Sequence, residues 1–191
     1  MDVLLLILWM VLRMSDSGAL PLQADSCATD QAPTPLAHLN LELAELLLDY
    51  QQQDAALMLL DAMPQPDNAA RLRRAQLYAL AFNFDQAVAE IDTLIAQCPD
   101  DPALYVERGQ IVILLYEWDR VLENYNRALA LDQTYAEAYY QRGILYYSVL
   151  AREEALADFQ HYLELSPEGD YAEAAQRYAD SISLELQSLS P

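Results

Sequence analysis

The chain has 191 residues and a formal net charge of −20, and all ten of its basic residues are arginine. The absence of lysine excludes Schiff-base chemistry and lysine-containing phosphate loops. The acidic excess argues against a nucleic-acid partner, which needs a basic face. Only four glycines occur, among abundant Ala, Leu, Gln and Glu, and this composition favours helix over sheet. The scattered acidic residues indicate a solvated surface, with attraction to a basic partner as the alternative.

The sequence contains no recognisable set of residues for a metal site, a cofactor site or a catalytic site. Cys27 and Cys98 are too few for a disulfide framework and lack metal-ligand spacing, and whether they pair stays open. His38 and His161 stand apart from any other ligand type. No Ser/His/Asp or Cys/His grouping stands out. We therefore expect no metal, no cofactor and no enzymatic activity.

Residues 1–24 contain the apolar run VLLLILWMVL, which is too short to span a bilayer but suits an export signal. The charge order is unusual, because Asp2 precedes the run and Arg13 follows it. We predict an exported or cell-envelope protein (secreted, periplasmic or N-terminally anchored). A membrane contact is expected only through this segment, if it is uncleaved. The alternatives are a mis-set start or a cytoplasmic apolar helix. Residues 25–33 have the composition of a linker.

Three segments fall into register when the sequence is shifted by 34 residues: 68–101, 102–135 and 136–169. Each segment predicts two antiparallel helices joined by a short turn. An aromatic residue, a small residue and a second aromatic recur in the first helix, followed by an alanine, an aromatic and a proline. The residues predicted to pack the repeats are Ala75, Tyr78, Ala87, Tyr105, Gly109, Tyr125, Tyr139, Gly143, Tyr146, Ala155, Phe159 and Pro167.

This pattern and its period resemble the tetratricopeptide repeat family. The resemblance implies an all-α fold, a right-handed α-solenoid of helix–turn–helix repeats that binds other proteins. Residues 34–67 are interpreted as a fourth, eroded repeat with a shortened second helix, in which Leu39, Leu43, Leu46 and Leu47 recur at helical spacing. Residues 170–188 are interpreted as a C-terminal capping helix, polar on the side that faces water.

Two local patterns predict how helices begin. Asp101 followed by Pro102 is typical of an N-cap with proline in the first turn, and Thr134 with Glu137 is typical of a capping box. We therefore expect the side chain of Glu137 to fold back onto the start of its own helix.

A column of arginines also recurs with the 34-residue period. It consists of Arg74, Arg108 and Arg142, and the same register places Glu90, Asn124 and Asp158 on the partner helices. One interpretation is a structural ladder of contacts between arginines and acidic or amide side chains. The other is an anion-binding site.

A second stripe on each first helix is not fixed by the repeat pattern. In the resembled family the corresponding face lines a concave groove that receives a ligand. We therefore predict an apolar and aromatic groove for an extended peptide or one face of a helix, with cover by a terminal helix as the alternative. The predicted groove residues are Leu72, Gln76, Val106, Gln110, Ile113, Tyr140, Ile144 and Tyr147.

The sequence thus predicts a non-catalytic scaffold that binds a protein or peptide partner. The groove lacks the basic and Asn residues that would capture a carboxylate terminus. The alternative function is an envelope-tethered structural or assembly element. The sequence leaves the oligomeric state open.

Overall fold

The structure is a computed structural model that describes residues 35–63 and 66–189, and this part of the chain forms nine α-helices and no β-strand. The helices are α1 (Pro35–Asp49), α2 (Gln53–Asp61), α3 (Asn68–Leu80), α4 (Phe84–Gln97), α5 (Pro102–Val112), α6 (Trp118–Leu131), α7 (Ala136–Ser148), α8 (Arg152–Leu165) and α9 (Ala172–Leu189). A short 3₁₀ turn, Ile113–Leu115, follows α5. The predicted export segment and the linker with Cys27 lie outside the described residues, as do residues 64 and 65 of the predicted eroded repeat. Cys98 is not a free thiol.

Consecutive helices pack in pairs, and each pair packs on the next. The pairs are α1 with α2, α3 with α4, α5 with α6, and α7 with α8. Contacts of α1 with α3, α4 with α5, and α6 with α7 join the pairs into one array, which α9 ends by packing on α8. The predicted all-α helical-repeat fold is confirmed. The second helix of the first pair has 9 residues, whereas α4 has 14.

Small residues on the first helices allow the second helices to come close. A Cβ added to Gly109 would overlap the ring of Tyr125, whose Cδ1 lies 3.0 Å away. A Cβ added to Gly143 would meet Cε1 of Phe159, also at 3.0 Å. Both rings are fully buried, so neither can swing into solvent. In the pairs α5–α6 and α7–α8, helix separation is therefore set by a glycine against an aromatic ring.

The twelve predicted packing residues differ in burial. Nine of them are buried, whereas Tyr139 and Tyr146 are half-buried and Pro167 is exposed. Pro167 follows the end of α8 at Leu165. Its position is that of a residue that prevents the helix from continuing, not of a core side chain.

The arginine column binds across helices as the ladder interpretation expected. Arg142 donates to both carboxylate oxygens of Asp158 at 2.7 and 2.8 Å, and Arg108 donates to Asn124 at 2.7 Å. Each also reaches back to the preceding pair, Arg108 to Asp92 and Arg142 to Asn126, both at 2.7 Å.

The remaining member of the column, Arg74, donates to Glu90 at 2.5 Å, and Arg71 donates to the other oxygen of Glu90 at 2.8 Å. All three arginines of the column are thus engaged with side chains of this chain. They serve the structure and do not form an anion site.

The turn inside each pair contains one residue with a left-handed backbone. These residues are Gln51, Phe82, Tyr116 and Leu150, with φ between 58° and 65°. The last three are 34 residues apart and have exposed side chains. Bulky residues rarely adopt this conformation, so the turn geometry is imposed by the helix pairs and not by local preference.

The two predicted helix starts have different outcomes. Asp101 is the N-cap of α5, and its carboxylate accepts a hydrogen bond from the amide of Ala103 at 3.0 Å. The predicted capping box is wrong, because Thr134 binds Asp132 and α7 begins at Ala136 without a side-chain cap. Glu137 turns instead toward the neighbouring repeat. Within the described residues no helix has the length and hydropathy needed to cross a bilayer.

Replacing Gly109 with alanine should destabilise the protein by about 1–3 kcal/mol, because the new methyl group overlaps the buried ring of Tyr125. This overlap outweighs the gain of about 1 kcal/mol that alanine brings to a helix interior. Urea unfolding measures the change. Gly143→Ala is the matched control and should cost less, since its nearest contact is only at 3.0 Å. Equal stability of the two variants would contradict the tight contact.

Replacing Asp158 with alanine should cost about 3 kcal/mol, because Arg142 would be left largely buried without its anion. Thermal and urea unfolding measure the loss. The matched control is Glu117→Ala, which removes the exposed pair with Arg120 and should change stability by less than about 1 kcal/mol. The ladder has no structural importance if the two variants unfold alike.

Candidate functional site

The predicted concave stripe is mostly buried. Gln110 and Tyr147 are half-buried, whereas the other six residues are exposed by 6% or less. The buried six are Leu72, Gln76, Val106, Ile113, Tyr140 and Ile144. The prediction that these side chains line an open apolar groove is therefore wrong for most of the stripe.

The C-terminal segment explains this burial at the last repeat. The ring of Tyr140 stacks on that of Tyr171, with centroids 4.3 Å apart and planes inclined by 10°. Ile144 belongs to the same core cluster as Ile182 of α9. Tyr147 lies 5.0 Å from the ring of Tyr178. The capping helix thus uses the stripe as its packing surface, which was the alternative left open by the sequence.

An apolar surface that is open lies instead on α1. Its side chains follow one another at helical spacing and are 44% to 72% exposed: Leu36, Leu39, Leu43, Leu46 and Tyr50. The opposite face of α1, with Ala37 and Ala44 fully buried, packs toward α3. The predicted apolar stripe of the eroded repeat is real, but three of its leucines face outward. We name the five exposed side chains the α1 face.

The position of the α1 face in the array explains its shape. Every later pair has a neighbouring helix pair on its upstream side, whereas the described residues place no helix upstream of α1. Elsewhere in the array, a first helix in this position packs against a neighbouring helix. Its surroundings are acidic, because α1 carries Glu42, Glu45 and Asp49, and its last turn contains no basic residue.

A second feature is a cluster of polar side chains between the first helices of three successive repeats. Glu107 of α5 is 4% exposed and accepts from the Nε2 of Gln76 at 3.3 and 3.4 Å. Glu137 of α7 accepts from the Nε2 of Gln110 at 3.5 Å and from the hydroxyl of Tyr135 at 3.4 Å. These hydrogen bonds are long compared with the usual 2.9 Å or so. The hydrogen bonds to both carboxylates come from neutral donors only: Gln76 for Glu107, and Gln110, Tyr135 and Gln141 for Glu137.

The electrostatics of the cluster are unfavourable to negative charge. Burial, followed by the negative charge of nearby Glu137, raises the pKa of Glu107 to about 7. Burial likewise raises the pKa of Glu137. No arginine or histidine of the described residues forms an ion pair with either carboxylate. Arg73 lowers the pKa of Glu107 only through its charge at a distance, because its own hydrogen bonds go to Glu45 and Gln76.

Two further polar atoms beside this cluster have no hydrogen-bond partner. They are the Oε1 of Gln141, which is 5% exposed, and the hydroxyl of the fully buried Tyr125. Gln141 donates to Glu137, and the charges of both carboxylates contribute to the raised pKa of Tyr125. We name Glu107, Glu137, Gln141 and the hydroxyl of Tyr125 the acidic cluster.

Sequence reasoning did not single out the acidic cluster. Glu137 looked like a helix cap, since the local pattern with Thr134 fits one. Glu107 and Gln141 occupy the same place in successive repeats, next to the recurring arginine of each first helix. The signal available in the sequence was that the residue just before the recurring arginine differs from one repeat to the next. Elsewhere in the described residues, no group of three His, Cys, Asp or Glu side chains forms a metal site.

Comparisons with known proteins agree with this architecture. Residues 109–179 match the model of the tetratricopeptide repeat family. The first tetratricopeptide repeat domain of Spaghetti (RPAP3), bound to an HSP90 peptide, is 24% identical over 63% of this chain and 93% of its own, with a TM-score of 0.55. The thermophilic repeat protein TTC0263 of Thermus thermophilus is 21% identical over 78% of this chain and 82% of its own, with a TM-score of 0.57.

A third structure of similar fold is the TPR2B domain of yeast Sti1 in complex with an Hsp70 peptide. It is 19% identical over 60% of this chain and 98% of its own, with a TM-score of 0.53. A comparison with curated proteins found no significant match. Identities this low show a shared fold, while the family model identifies the repeats themselves. Residues 109–179 therefore belong to the tetratricopeptide repeat family, and the described chain has the helical-repeat fold of that family.

Proposed function

We propose that this protein is a non-catalytic scaffold that holds a polypeptide partner, and that the α1 face receives a helical segment of that partner. The observation that carries the proposal is the run of four exposed leucines on one face of α1, continued by the exposed Tyr50 directly after the helix. Contiguous apolar surface of this kind is uncommon on a monomer unless something binds there. Two proteins of similar fold are bound to peptides, which supports a polypeptide as the class of partner.

The shape of the α1 face favours a helix as the occupant. Side chains at spacings of three and four residues form ridges that pack into the grooves of another helix. Inside the array, α5 and α7 pack against the second helix of the preceding pair, and α3 packs mainly against α1. A partner helix would give α1, the first helix of the described array, a neighbour of the same kind.

Charge favours a partner with basic residues beside its apolar face. Glu42 and Asp49 are exposed on α1, and the whole chain carries a net charge of −20. Such a field accelerates the approach of a basic segment and repels an acidic one. The partner proposed here is thus opposite in charge to the acidic HSP90 peptide SRMEEVD, which the domain from Spaghetti binds.

Replacing Leu39 and Leu43 together with alanine should abolish retention of the partner while changing the melting temperature little, since both side chains are exposed. The measurement is affinity capture from native extract with the full chain as bait, with retained proteins quantified for each variant. The matched control is Met58→Ala with Leu184→Ala, two side chains that are 73% and 68% exposed elsewhere. The control should retain the same proteins as the unaltered chain.

A photoreactive benzophenone residue at position 43 identifies what lies on the α1 face. We expect a cross-link to a helix of another protein, flanked by Arg or Lys. A cross-link between two copies of this chain would contradict the proposal and make the face a self-association interface. Retention that is unchanged in the Leu39→Ala, Leu43→Ala variant would equally contradict it.

The predicted location in the cell envelope stays a proposal, as does the envelope-tethered alternative, because both depend on residues before Pro35. Intact-mass measurement of the native protein tests them. A mature chain that begins after the apolar run supports export by cleavage, and a chain that keeps the run supports tethering.

A further inference from the structure

We infer that the acidic cluster binds the ammonium group of a lysine side chain that a polypeptide partner presents. This inference rests on the proposed function, because it names a second contact of the same partner. It concerns a different part of the molecule from the α1 face. The two contacts are therefore testable separately.

The hydrogen-bonding capacity of the cluster matches an ammonium group. The described structure leaves the Oε1 of Gln141 without a donor, and Gln76 donates to Glu107 at 3.3 and 3.4 Å. Glu137 accepts from Gln110 at 3.5 Å, from Tyr135 at 3.4 Å and from Gln141, all of them neutral donors. An ammonium group has three N–H donors and no acceptor, so it satisfies three such oxygens at once. Its charge also compensates two carboxylates that are otherwise without an ion pair, which is the costly state of a buried anion.

The cluster has a deep part and an open side. Glu107 and Gln141 are 4% and 5% exposed. Glu137 and Gln110, by contrast, are half-buried and reach solvent. The side of the cluster that a partner side chain can reach is therefore the side with Glu137 and Gln110. Lysine carries its charge on a compact ammonium group with three N–H donors, whereas arginine carries it on a larger planar guanidinium.

The lysine must come from another molecule, because this chain contains none. A divalent metal is a poorer occupant, since it prefers more oxygen ligands than two carboxylates and an amide supply. No metal-binding group of three acidic, His or Cys residues occurs among residues 35–63 and 66–189.

The repeats provide an internal comparison. Positions 34 residues apart keep arginine at 74, 108 and 142, where stacking requires it. The position just before each of these arginines instead holds Arg73, Glu107 and Gln141 in turn. Arg73 and Glu107 form hydrogen bonds to the preceding helix pair, to Glu45 and Gln76 respectively, whereas the Oε1 of Gln141 has no partner. The acceptor left over at this position, and not the variation itself, is what points to a ligand.

A lysine side-chain analogue tests the site without knowledge of the partner. n-Butylammonium chloride should raise the melting temperature of the full chain at pH 8 by several degrees, saturably, because it binds only the folded state. Tetramethylammonium chloride at equal ionic strength carries the same charge but no N–H donor, and should have little effect. The Glu107→Gln, Glu137→Gln variant should lose the difference between the two salts. Glu117→Gln, at an exposed carboxylate, should keep it.

The burial of Glu107 also predicts how stability varies with pH. Glu107 has an ordinary pKa of 4.5 when unfolded and about 7 when folded, so the folded state holds the extra proton between these values. Stability should therefore fall as the pH rises through this window and level off above about 7. The groups that face Glu107 are Arg73 and Gln76 on α3, Tyr125 on α6, and Tyr135 and Glu137 at α7. Glu107→Gln should flatten the decline, measured against Glu117→Gln.

Two pools of short blocked peptides with random flanking residues separate this inference from the proposed function. One pool has a central lysine and the other a central acetyl-lysine. Several-fold stronger retention of the lysine pool supports the inference. Equal retention of both pools overturns the inference but leaves the scaffold function intact.

The remaining outcomes are also decisive. If neither pool is retained but butylammonium still stabilises the chain through Glu107 and Glu137, the cation site stands and polypeptide binding fails. If butylammonium and tetramethylammonium act alike on the unaltered chain, or act unchanged on the Glu107→Gln, Glu137→Gln variant, the cation site is overturned.

Discussion

The close approach of the two helices in each pair is the constraint on which the rest of this structure depends. At Gly109 and Gly143 the second helix presents a fully buried aromatic ring where any larger side chain would have its Cβ. This contact sets the helix separation and thereby the place of the arginines. Arg108 and Arg142 can then reach both the second helix of their own pair and that of the preceding pair. In the pairs α5–α6 and α7–α8, one glycine–aromatic contact and one arginine per repeat therefore hold the stack together.

The same constraint explains why the concave stripe is not a free groove. When the pairs stack, the next element in the array packs against the side of the preceding first helix that carries the stripe. At the last repeat this element is α9, and Tyr171 just before it stacks on Tyr140. The stripe residues do not follow the 34-residue pattern, because each of them packs against its own neighbouring element and not in a contact that recurs in every repeat. Freedom from a repeat pattern therefore does not by itself identify a binding surface.

The sequence was sufficient for the fold because repetition amplifies weak signals. The 34-residue register predicted the pairing of Arg142 with Asp158, since sixteen residues of separation place both on facing helices. It could not predict which face of α1 would be covered, because that depends on a neighbour that the described array lacks at its start. Leucines at helical spacing look identical whether they face a core or solvent. Here Ala37 and Ala44 face inward, and small residues give a weak hydrophobic signal.

Glu137 shows where local reasoning failed. A threonine followed three residues later by glutamate is typical of a helix cap. Here, however, Thr134 donates its hydrogen bonds to Asp132, and the side chain of Glu137 is not used as a cap. The freed carboxylate then lies beside Glu107, a residue from 30 positions upstream that no local pattern connects to it. Burial raises the pKa of both carboxyl groups, so ionising them costs free energy, and no arginine or histidine of the described residues forms an ion pair with either. Every arginine of the column is engaged elsewhere. A cation supplied by another molecule is therefore what would offset this cost.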